Sequence, residues 1–235
     1  MSFTLVTGAA KNLGKAICLH LARSGENVVV HYKNSKEDAL SLVSLCKSFG
    51  VLAESVYGDF STISGVQAFV DAYQSRVPST KGLVNNVGNY LIKKPQETSV
   101  EEMKHLFETN LYAPFLLMQA LLPTISKEKG SIVNIGTVGI DGKRAESYST
   151  AYSLTKSSLL MLTRSFAKEY ASSQVSINMV SPGILENSID GANRPEILPM
   201  QRTATFEEVA ETVFFLLKSP YITGQNLEVA GGIRL

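Results

Sequence analysis

Two tyrosines and a lysine stand four positions apart in the segment YSTAYSLTK, which spans residues 148–156. On a helix this spacing aligns the side chains of Tyr148, Tyr152 and Lys156 along one stripe. A phenol with a pKa near ~10 exchanges protons poorly at neutral pH, but an ammonium group one turn away stabilises the phenolate. Only Tyr152 has a cation four positions later, so the pattern predicts Tyr152 as a proton donor whose pKa is lowered by Lys156. Tyr148 is expected at the helix start or at the rim of a pocket.

Short apolar runs alternate with longer amphipathic runs along the whole chain, and this alternation predicts the elements that position the pair. The predicted strands are 3–7, 27–32, 51–57, 82–86, 131–136, 175–181 and 226–230. The predicted helices lie near 12–24, 35–49, 61–76, 99–126, 150–170 and 205–218. Such alternation is typical of βαβ units and of a parallel sheet covered on both faces. We expect one α/β domain over residues 1–235, a doubly wound parallel sheet (Rossmann fold) of about seven strands.

Two loops of this expected fold carry signals for ligand binding. In the turn TGAAKNLG, which follows the first strand, Gly8 permits a tight turn and Gly14 lets the next helix lie close to the strand. The helix N-terminus then offers free N–H groups to a pyrophosphate. The segment 182–204 contains three prolines and is long for a loop in a compact domain. Because it follows the carboxyl end of a strand, where open α/β sheets bind ligands, we interpret it as a substrate lid.

The residues after the second strand lie where dinucleotide-binding folds of this type place the adenosine ribose. An acidic residue there would bind the ribose of NAD and repel a 2′-phosphate, but HYKNSKED has no carboxylate before Glu37. Lys33, Asn34 and Ser35 offer a cation and hydrogen-bond donors instead. Lys11, in the first loop, adds a second cation from the opposite side. Two cations that face one dianionic phosphate favour NADPH by about 2–4 kcal/mol in a partly shielded site.

Taken together, these motifs resemble those of the short-chain dehydrogenase/reductase family. TGAAKNLG is similar to the family's TGxxxGxG turn, although Asn12 replaces the middle glycine; NNVG (85–88) is similar to NNAG, and YSLTK matches YxxxK. Asn tolerates a positive φ better than most non-glycine residues, so the turn can persist. The resemblance spans nearly the whole chain and implies that the cofactor contacts Gly8, Lys11, Asn12, Leu13, Gly14, Tyr32, Lys33, Asn34, Ser35, Asp59, Phe60, Asn86, Val87, Gly88, Tyr152, Lys156, Pro182, Gly183 and Ile184.

The same resemblance implies an active site of four residues. Lys156 binds the nicotinamide ribose in addition to tuning Tyr152, and Asn110 holds a water that relays protons to Lys156. The family's carbonyl-binding serine aligns with Thr137, which keeps the hydroxyl group and adds a methyl group that restricts its rotamer. Hydride transfer to a carbonyl or imine carbon is then expected to accompany proton donation by Tyr152. Asp59 is implied to accept a hydrogen bond from the adenine amino group.

Two substrate classes and one non-catalytic role remain open at this point. Many family reductases of this size act on 3-oxoacyl groups carried by an acyl carrier protein, an acidic partner that Lys127 and Lys129 would meet. Pteridine reductases share the altered glycine turn, and Tyr90 would stack on a pterin ring. A protein that binds NADPH without turnover is disfavoured by the intact YxxxK pair. We favour the 3-oxoacyl reductase over the pteridine reductase, with Tyr90, Thr137 and Tyr148 as the expected substrate contacts.

Composition and charge argue against several other classes of protein. A formal net charge of +1 gives no electrostatic basis for binding nucleic acid or an anionic membrane. Cys18 and Cys46 form no CxxC pair, and together with three scattered histidines they predict no metal site. The most apolar stretch, 111–122, is too short to span a bilayer. We expect a soluble protein of the reducing cytoplasm, and the resemblance implies a homotetramer built through the helices 99–126 and 150–170 and the last strand.

Overall fold

The structure is a computed structural model that describes residues 1–142, 145, 147–188, 196 and 198–235. Its strands are β1 (Phe3–Val6), β2 (Val28–Tyr32), β3 (Ala53–Tyr57), β4 (Thr80–Asn85), β5 (Ser131–Ile135), β6 (Ser176–Pro182) and β7 (Asn226–Val229). They form one seven-stranded sheet in the order β3-β2-β1-β4-β5-β6-β7. Every neighbouring pair is parallel. The predicted doubly wound parallel sheet is therefore confirmed.

Seven α-helices connect these strands in the described part of the chain. They are α1 (Asn12–Arg23), α2 (Lys36–Ser48), α3 (Ile63–Arg76), α4 (Val100–Phe107), α5 (Ala113–Lys127), α6 (Thr150–Tyr170) and α7 (Phe206–Leu217). The helical pattern predicted near 99–126 is present, as α4, a π-helical turn over Glu108–Tyr112 and α5 in direct succession. Pro114 has no N–H to donate to the carbonyl of Asn110, four residues earlier, which accounts for the local departure from α-helical bonding.

Helices cover both faces of the sheet, as the near-continuous apolar strands predict. Successive strand residues point to opposite faces, so Leu5 and Val29 pack in one cluster with residues of α3 and α5. Val6 and Val28 pack on the other side, in a cluster with residues of α1, α2 and α7. This two-sided packing holds the strands rigidly and aligns their carboxyl ends along one edge of the sheet.

The long segment after β6 is held together at its two ends. The amide of Ala204 donates to the carbonyl of Ile184 (2.9 Å), and the amide of Glu186 donates to the carbonyl of Ala204 (3.0 Å). Residues 189–195 and 197 of the predicted lid lie outside the described residues. Within the residues that the structure describes, no helix is long and apolar enough to cross a membrane, and no cluster of side chains could hold a metal ion.

Candidate active site

The turn after β1 has the strained backbone that its glycines predict. Gly8 has φ +60°, and Asn12, the first residue of α1, has φ +50°. Asn12 therefore adopts the left-handed conformation expected for a replacement of glycine. A Cβ atom on Gly14 would lie 2.4 Å from the carbonyl oxygen of Gly8, which only a glycine avoids. The start of α1 is thus pressed against the turn, and its first N–H groups face the carboxyl edge of the sheet.

The NNVG loop after β4 is tied to this turn through Thr7, a residue that the sequence did not single out. The hydroxyl oxygen of Thr7 accepts hydrogen bonds from the amides of Asn86 (2.8 Å) and Val87 (3.0 Å). The side-chain amide of Asn86 donates in return to the carbonyl of Thr7 (2.9 Å). The threonine in the TG pair was the available signal, because a buried hydroxyl next to a tight turn usually bonds backbone.

A cleft of about 620 Å³ opens at the carboxyl ends of β4, β5 and β6. The predicted site residues that line it are Asn12, Leu13, Asn86, Gly88, Tyr90, Thr137, Tyr148, Tyr152, Lys156, Pro182, Gly183 and Ile184. The other predicted cofactor residues lie outside this cleft, in or beside the turns that follow β1, β2, β3 and β4: Gly8, Lys11, Gly14, Tyr32, Lys33, Asn34, Ser35, Asp59, Phe60 and Val87. The structure thus places the two predicted groups side by side along one edge.

Tyr152 lies in the cleft and hydrogen-bonds Thr137, which follows β5. Burial raises the pKa of Tyr152 to about 12, and the bond to Thr137 offsets part of this rise. The net shift of the Tyr152 pKa is therefore upward, opposite to the net lowering that the spacing to Lys156 predicts, because burial is the largest cause. The phenol keeps its proton at neutral pH, and this protonated form is the one that can act as an acid.

Lys156 is 3% exposed and lies one turn along α6 from Tyr152. Its ammonium donates a hydrogen bond to the carbonyl of Ile135, at the end of β5 (2.8 Å), and lies 5.8 Å from the ring centre of Tyr152. Burial lowers the pKa of Lys156 to about 8. A Cβ atom on Gly88 would lie 3.3 Å from this ammonium, so the glycine keeps the space beside it open.

Asn110 sits in the π-helical turn between α4 and α5 and is fully buried. Its side-chain oxygen accepts from the amide of Asn89 (2.8 Å), and its side-chain amide donates to the carbonyl of Asn89 (2.9 Å) and to the hydroxyl of Thr155 (3.1 Å). These bonds fix the loop after β4 against α6. Asn89 also lines the cleft, and its role was not predicted because it depends on this pairing across the fold.

Two predicted substrate contacts form the rim of the cleft. Tyr90 packs edge-on against Tyr152, with ring centres 4.6 Å apart and an angle of 84° between the rings. Tyr148 is 55% exposed and precedes α6, as expected for a rim position. The carbonyl of Tyr148 accepts a hydrogen bond from the amide of Lys93 (2.9 Å), which joins the loop after β4 to the start of α6. Tyr90 and Tyr148 therefore come from two loops that are held together.

Both lysines predicted to meet a phosphate are paired with aspartates. The ammonium of Lys33 lies 2.7 Å from a carboxylate oxygen of Asp59, and that of Lys11 lies 3.1 Å from Asp38, in the first turn of α2. Hydrogen bonds from Lys33 and Ser61 lower the pKa of Asp59 to about 2. The pairing of Lys11 with Asp38 was not foreseen, because it requires the approach of two loops that the sequence does not show.

The remaining predicted residues are Phe60, on the cofactor side, and Lys127 and Lys129, which were predicted to meet an acidic partner. Phe60 is 3% exposed, so its side chain is buried away from a ligand and its contact with the cofactor stays a prediction. Lys127 and Lys129 stand just before the amino end of β5, whereas the cleft lies at its carboxyl end. These lysines thus lie near the start of β5, where the sequence pattern placed them, and their contact with an acidic carrier stays a prediction.

We next compared the chain with known protein families, relatives and solved structures. A family model described as enoyl-(acyl carrier protein) reductase matches residues 8–234. The chain is 32% identical to 3-oxoacyl-(acyl-carrier-protein) reductase FabG of Staphylococcus aureus, over 97% of this chain and 96% of the relative. It is 30% identical to glucose 1-dehydrogenase 2 of Bacillus subtilis, over 98% and 94%. A blue fluorescent protein from a metagenomic library, solved with NADPH, superposes with a TM-score of 0.92 at 26% identity, over 100% of this chain and 98% of that one.

Proposed function

Because the chain belongs to the short-chain dehydrogenase/reductase family of oxidoreductases, we propose that it transfers hydride from NADPH to the ketone of a 3-oxoacyl thioester in the cytoplasm. The observation that carries this proposal is the hydrogen-bonded pair of Tyr152 and Thr137, which lies in the cleft beside the buried ammonium of Lys156. A proton donor, an orienting hydroxyl and a fixed cation are the groups that reduction of a carbonyl requires.

The residues along the edge of the sheet fit a nicotinamide dinucleotide. The positive φ of Gly8 and the close approach at Gly14 shape a turn that can receive a pyrophosphate at the start of α1. At the other end, the absence of a side chain on Gly88 leaves room next to Lys156. When bound there, reduced nicotinamide supplies a hydride for the substrate carbon.

Tyr152 is the proton donor in this proposal. Its pKa of about 12 keeps the phenol protonated at neutral pH, and the developing alkoxide of the substrate is a strong enough base to take that proton. Thr137 holds the phenol by a hydrogen bond and can donate its own hydroxyl hydrogen to the same substrate oxygen. The substrate oxygen gains one proton as its carbon gains one hydride, so the product is a secondary alcohol.

Lys156 stabilises the phenolate that remains after Tyr152 has given up its proton. The ammonium is held in place by the carbonyl of Ile135 (2.8 Å), and in a buried site its charge acts more strongly than it would in water. Asn110 supports the same region from behind, because its side chain fixes the loop that carries Gly88 and Asn89. A water between Asn110 and Lys156 would return the proton to Tyr152 after each turnover.

We assign NADPH rather than NADH as the cofactor from the two lysines at the adenosine end. Lys11 and Lys33 flank the turns after β1 and β2, and each is paired to a single carboxylate. A 2′-phosphate carries more charge than either carboxylate and can replace it as the partner of both lysines. The NADPH bound to the metagenomic blue fluorescent protein, which shares this fold, adds support.

The 3-oxoacyl substrate is assigned from the relatives and from the shape of the cleft. The similarity to 3-oxoacyl-(acyl-carrier-protein) reductase covers 97% of the chain. Tyr90 and Tyr148 line the cleft together with Tyr152, where their rings can contact an acyl thioester arm. The segment 182–204 is the proposed lid, because its first residues line the cleft and its ends are bonded to each other.

We also propose that four copies assemble through the helical segments 99–126 (α4 and α5) and 150–170 (α6) and through β7. Leu154 and Met161 lie two turns apart on α6 and are 47% and 64% exposed, whereas Leu159 and Leu160 of the same helix are buried. Large exposed side chains on one helix face mark a surface that association would cover. Light scattering after size-exclusion chromatography should give four chain masses for the wild type and a smaller species for Met161→Glu. A monomeric wild type would refute this assembly.

The reaction is tested by following the absorbance of NADPH after addition of an acetoacetyl thioester or of dihydrobiopterin, and by repeating the thioester assay with NADH. An acetoacetyl thioester should be reduced to the 3-hydroxyacyl thioester, and reduction should be slower with NADH at equal concentration. Dihydrobiopterin should not be reduced; its reduction together with an inert thioester would replace the proposed substrate with a pterin. Binding of NADPH, seen by its fluorescence, without turnover of any carbonyl would show a non-catalytic protein. Absence of binding would refute the proposed function as a whole.

A further inference from the structure

A histidine beneath the glycine turn is used by none of the roles assigned above. His31, in β2, is 2% exposed. Its ring stacks on that of Phe60, with centres 4.0 Å apart and an angle of 5°, and it meets the edge of Phe69 at 5.1 Å. A buried ionisable side chain in an apolar setting requires partners for its polar atoms.

Both ring nitrogens of His31 have such partners, and the two partners belong to different loops. The amide of Gly8, in the turn after β1, donates to Nδ1 (2.9 Å). Nε2 lies 3.1 Å from the carbonyl oxygen of Gly58, which directly follows β3. A carbonyl can only accept, so Nε2 carries the hydrogen and Nδ1 is the bare nitrogen. Burial lowers the pKa of His31 to about 4, which agrees with a neutral ring.

The surroundings leave the ring little freedom to move. A Cβ atom on Gly58 would lie 3.0 Å from Nε2 of His31 and 2.7 Å from the ring of Phe69, so the chain passes directly against the ring. Backbone hydrogen bonds of β2 connect the same two loops. The amide of Ala9 donates to the carbonyl of His31 (2.9 Å), and the amide of Gly58 donates to the carbonyl of Tyr32 (3.0 Å). One rigid side chain thus joins the turn of Gly8 to the loop that carries Asp59.

We propose that His31 is a positioning residue that sets the distance between the pyrophosphate turn and the adenine-side loop, and so controls affinity for the dinucleotide. This inference rests on the proposed function, since both loops must contact one bound dinucleotide. His31 lies below these loops and does not line the cleft with Tyr152. Its replacement should therefore change the binding of the cofactor and leave proton transfer intact.

The test compares His31→Phe with Tyr73→Phe. Phenylalanine keeps a flat ring but leaves the amide of Gly8 and the carbonyl of Gly58 without their partner. Tyr73 is buried in the same apolar cluster, and its hydroxyl bonds Thr80 (2.8 Å) away from both loops. His31→Phe should weaken NADPH binding by about tenfold and raise the KM for NADPH, with kcat and the KM for the thioester within about twofold of wild type. Tyr73→Phe should lower the melting temperature similarly without a change in NADPH affinity.

Equal NADPH affinity in His31→Phe and wild type, or an equal loss in Tyr73→Phe, would overturn the inference. If His31→Phe fails to fold, nitrogen-15 NMR of the wild-type histidines still decides it. His31 should be protonated at Nε2 alone at neutral pH, and its Nδ1 resonance should shift when NADPH is added. Protonation at Nδ1, or a resonance indifferent to NADPH, contradicts the role. Wild-type protein that binds no dinucleotide would instead refute the proposed function, so the two failures are distinct.

Discussion

The two ends of the proposed cofactor site use lysines in opposite ways. At the catalytic end, Lys156 is 3% exposed, bonds a backbone carbonyl and has a pKa of about 8. At the adenosine end, the side chains of Lys11 and Lys33 are 59% and 43% exposed and pair with aspartates. The electrostatic interactions of a buried charge are strong and its position is fixed, whereas an exposed charge interacts weakly and can exchange its partner. Chemistry is therefore expected to depend on the first end and cofactor choice on the second.

Removal of the proton donor should produce the largest effect at the catalytic end. Tyr152→Phe keeps the ring against Tyr90 but deletes the hydroxyl bonded to Thr137. We expect kcat for the thioester to fall by about 10³-fold, since general-acid catalysis is lost. NADPH affinity, measured by fluorescence, should stay within about twofold of wild type. Tyr148→Phe is the matched control on the rim and should keep most of the activity.

Removal of the Thr137 hydroxyl should have the second-largest effect on kcat. Thr137→Val has nearly the same shape but cannot bond Tyr152 or a substrate oxygen. We expect kcat to fall by about 10²-fold, as for the loss of one donor to a developing oxyanion. Thr137→Ser should retain kcat within about threefold, because it keeps the hydroxyl. Equal losses in both variants would show that the methyl group, and not the hydroxyl, is what matters.

The buried lysine predicts a pH dependence in the same region. Because burial lowers the pKa of Lys156 to about 8, the ammonium is present below that pH and is lost above it. Tyr152 keeps its proton throughout this range, since its pKa is raised to about 12. We expect kcat/KM to be constant from pH 6 to 7 and to lie about tenfold below this plateau at pH 9. A rate that stays flat to pH 10 would exclude a catalytic role for the charge.

At the adenosine end the expected effects are smaller and specific to the phosphate. Lys33→Ala should weaken NADPH binding by about tenfold, equivalent to about 1.4 kcal/mol, and leave NADH binding unchanged. Asp38→Asn frees Lys11 from its partner and should tighten NADPH binding by about two- to fivefold. Titration of both cofactors against each variant checks these values. Parallel losses for NADPH and NADH in Lys33→Ala would mean that the lysine supports the loop and does not bind the phosphate.

The sequence predicted most of the fold because its signals were local. Apolar strands, glycines at turns and the YxxxK spacing are visible within a few residues, and the sheet and the position of Tyr152 followed from them. The π-helical turn between α4 and α5 was not predicted, because the pattern on both sides of Pro114 is strongly helical. The pairing of Lys11 with Asp38 and the bond of Thr7 to the NNVG loop join distant segments, which no local pattern reveals.

The direction in which the pKa of Tyr152 shifts could not be predicted from the sequence either. The spacing to Lys156 is visible in the sequence and indicates a lower pKa, but the burial that raises it to about 12 appears only in the folded chain. The sequence shows the spacing between two ionisable residues but not how deeply the folded chain buries them. The substrate is hidden for the same reason, because the shape of the cleft depends on several loops at once.

The central claim is that hydride from NADPH and a proton from Tyr152 reach the same carbonyl. A single turnover with NADPH deuterated at its transferable position, mixed with an acetoacetyl thioester, tests this most directly. We predict deuterium on the former ketone carbon of the product, formed about 10³-fold more slowly in Tyr152→Phe with NADPH still bound. A product without the label, or an undiminished rate in Tyr152→Phe, would contradict it.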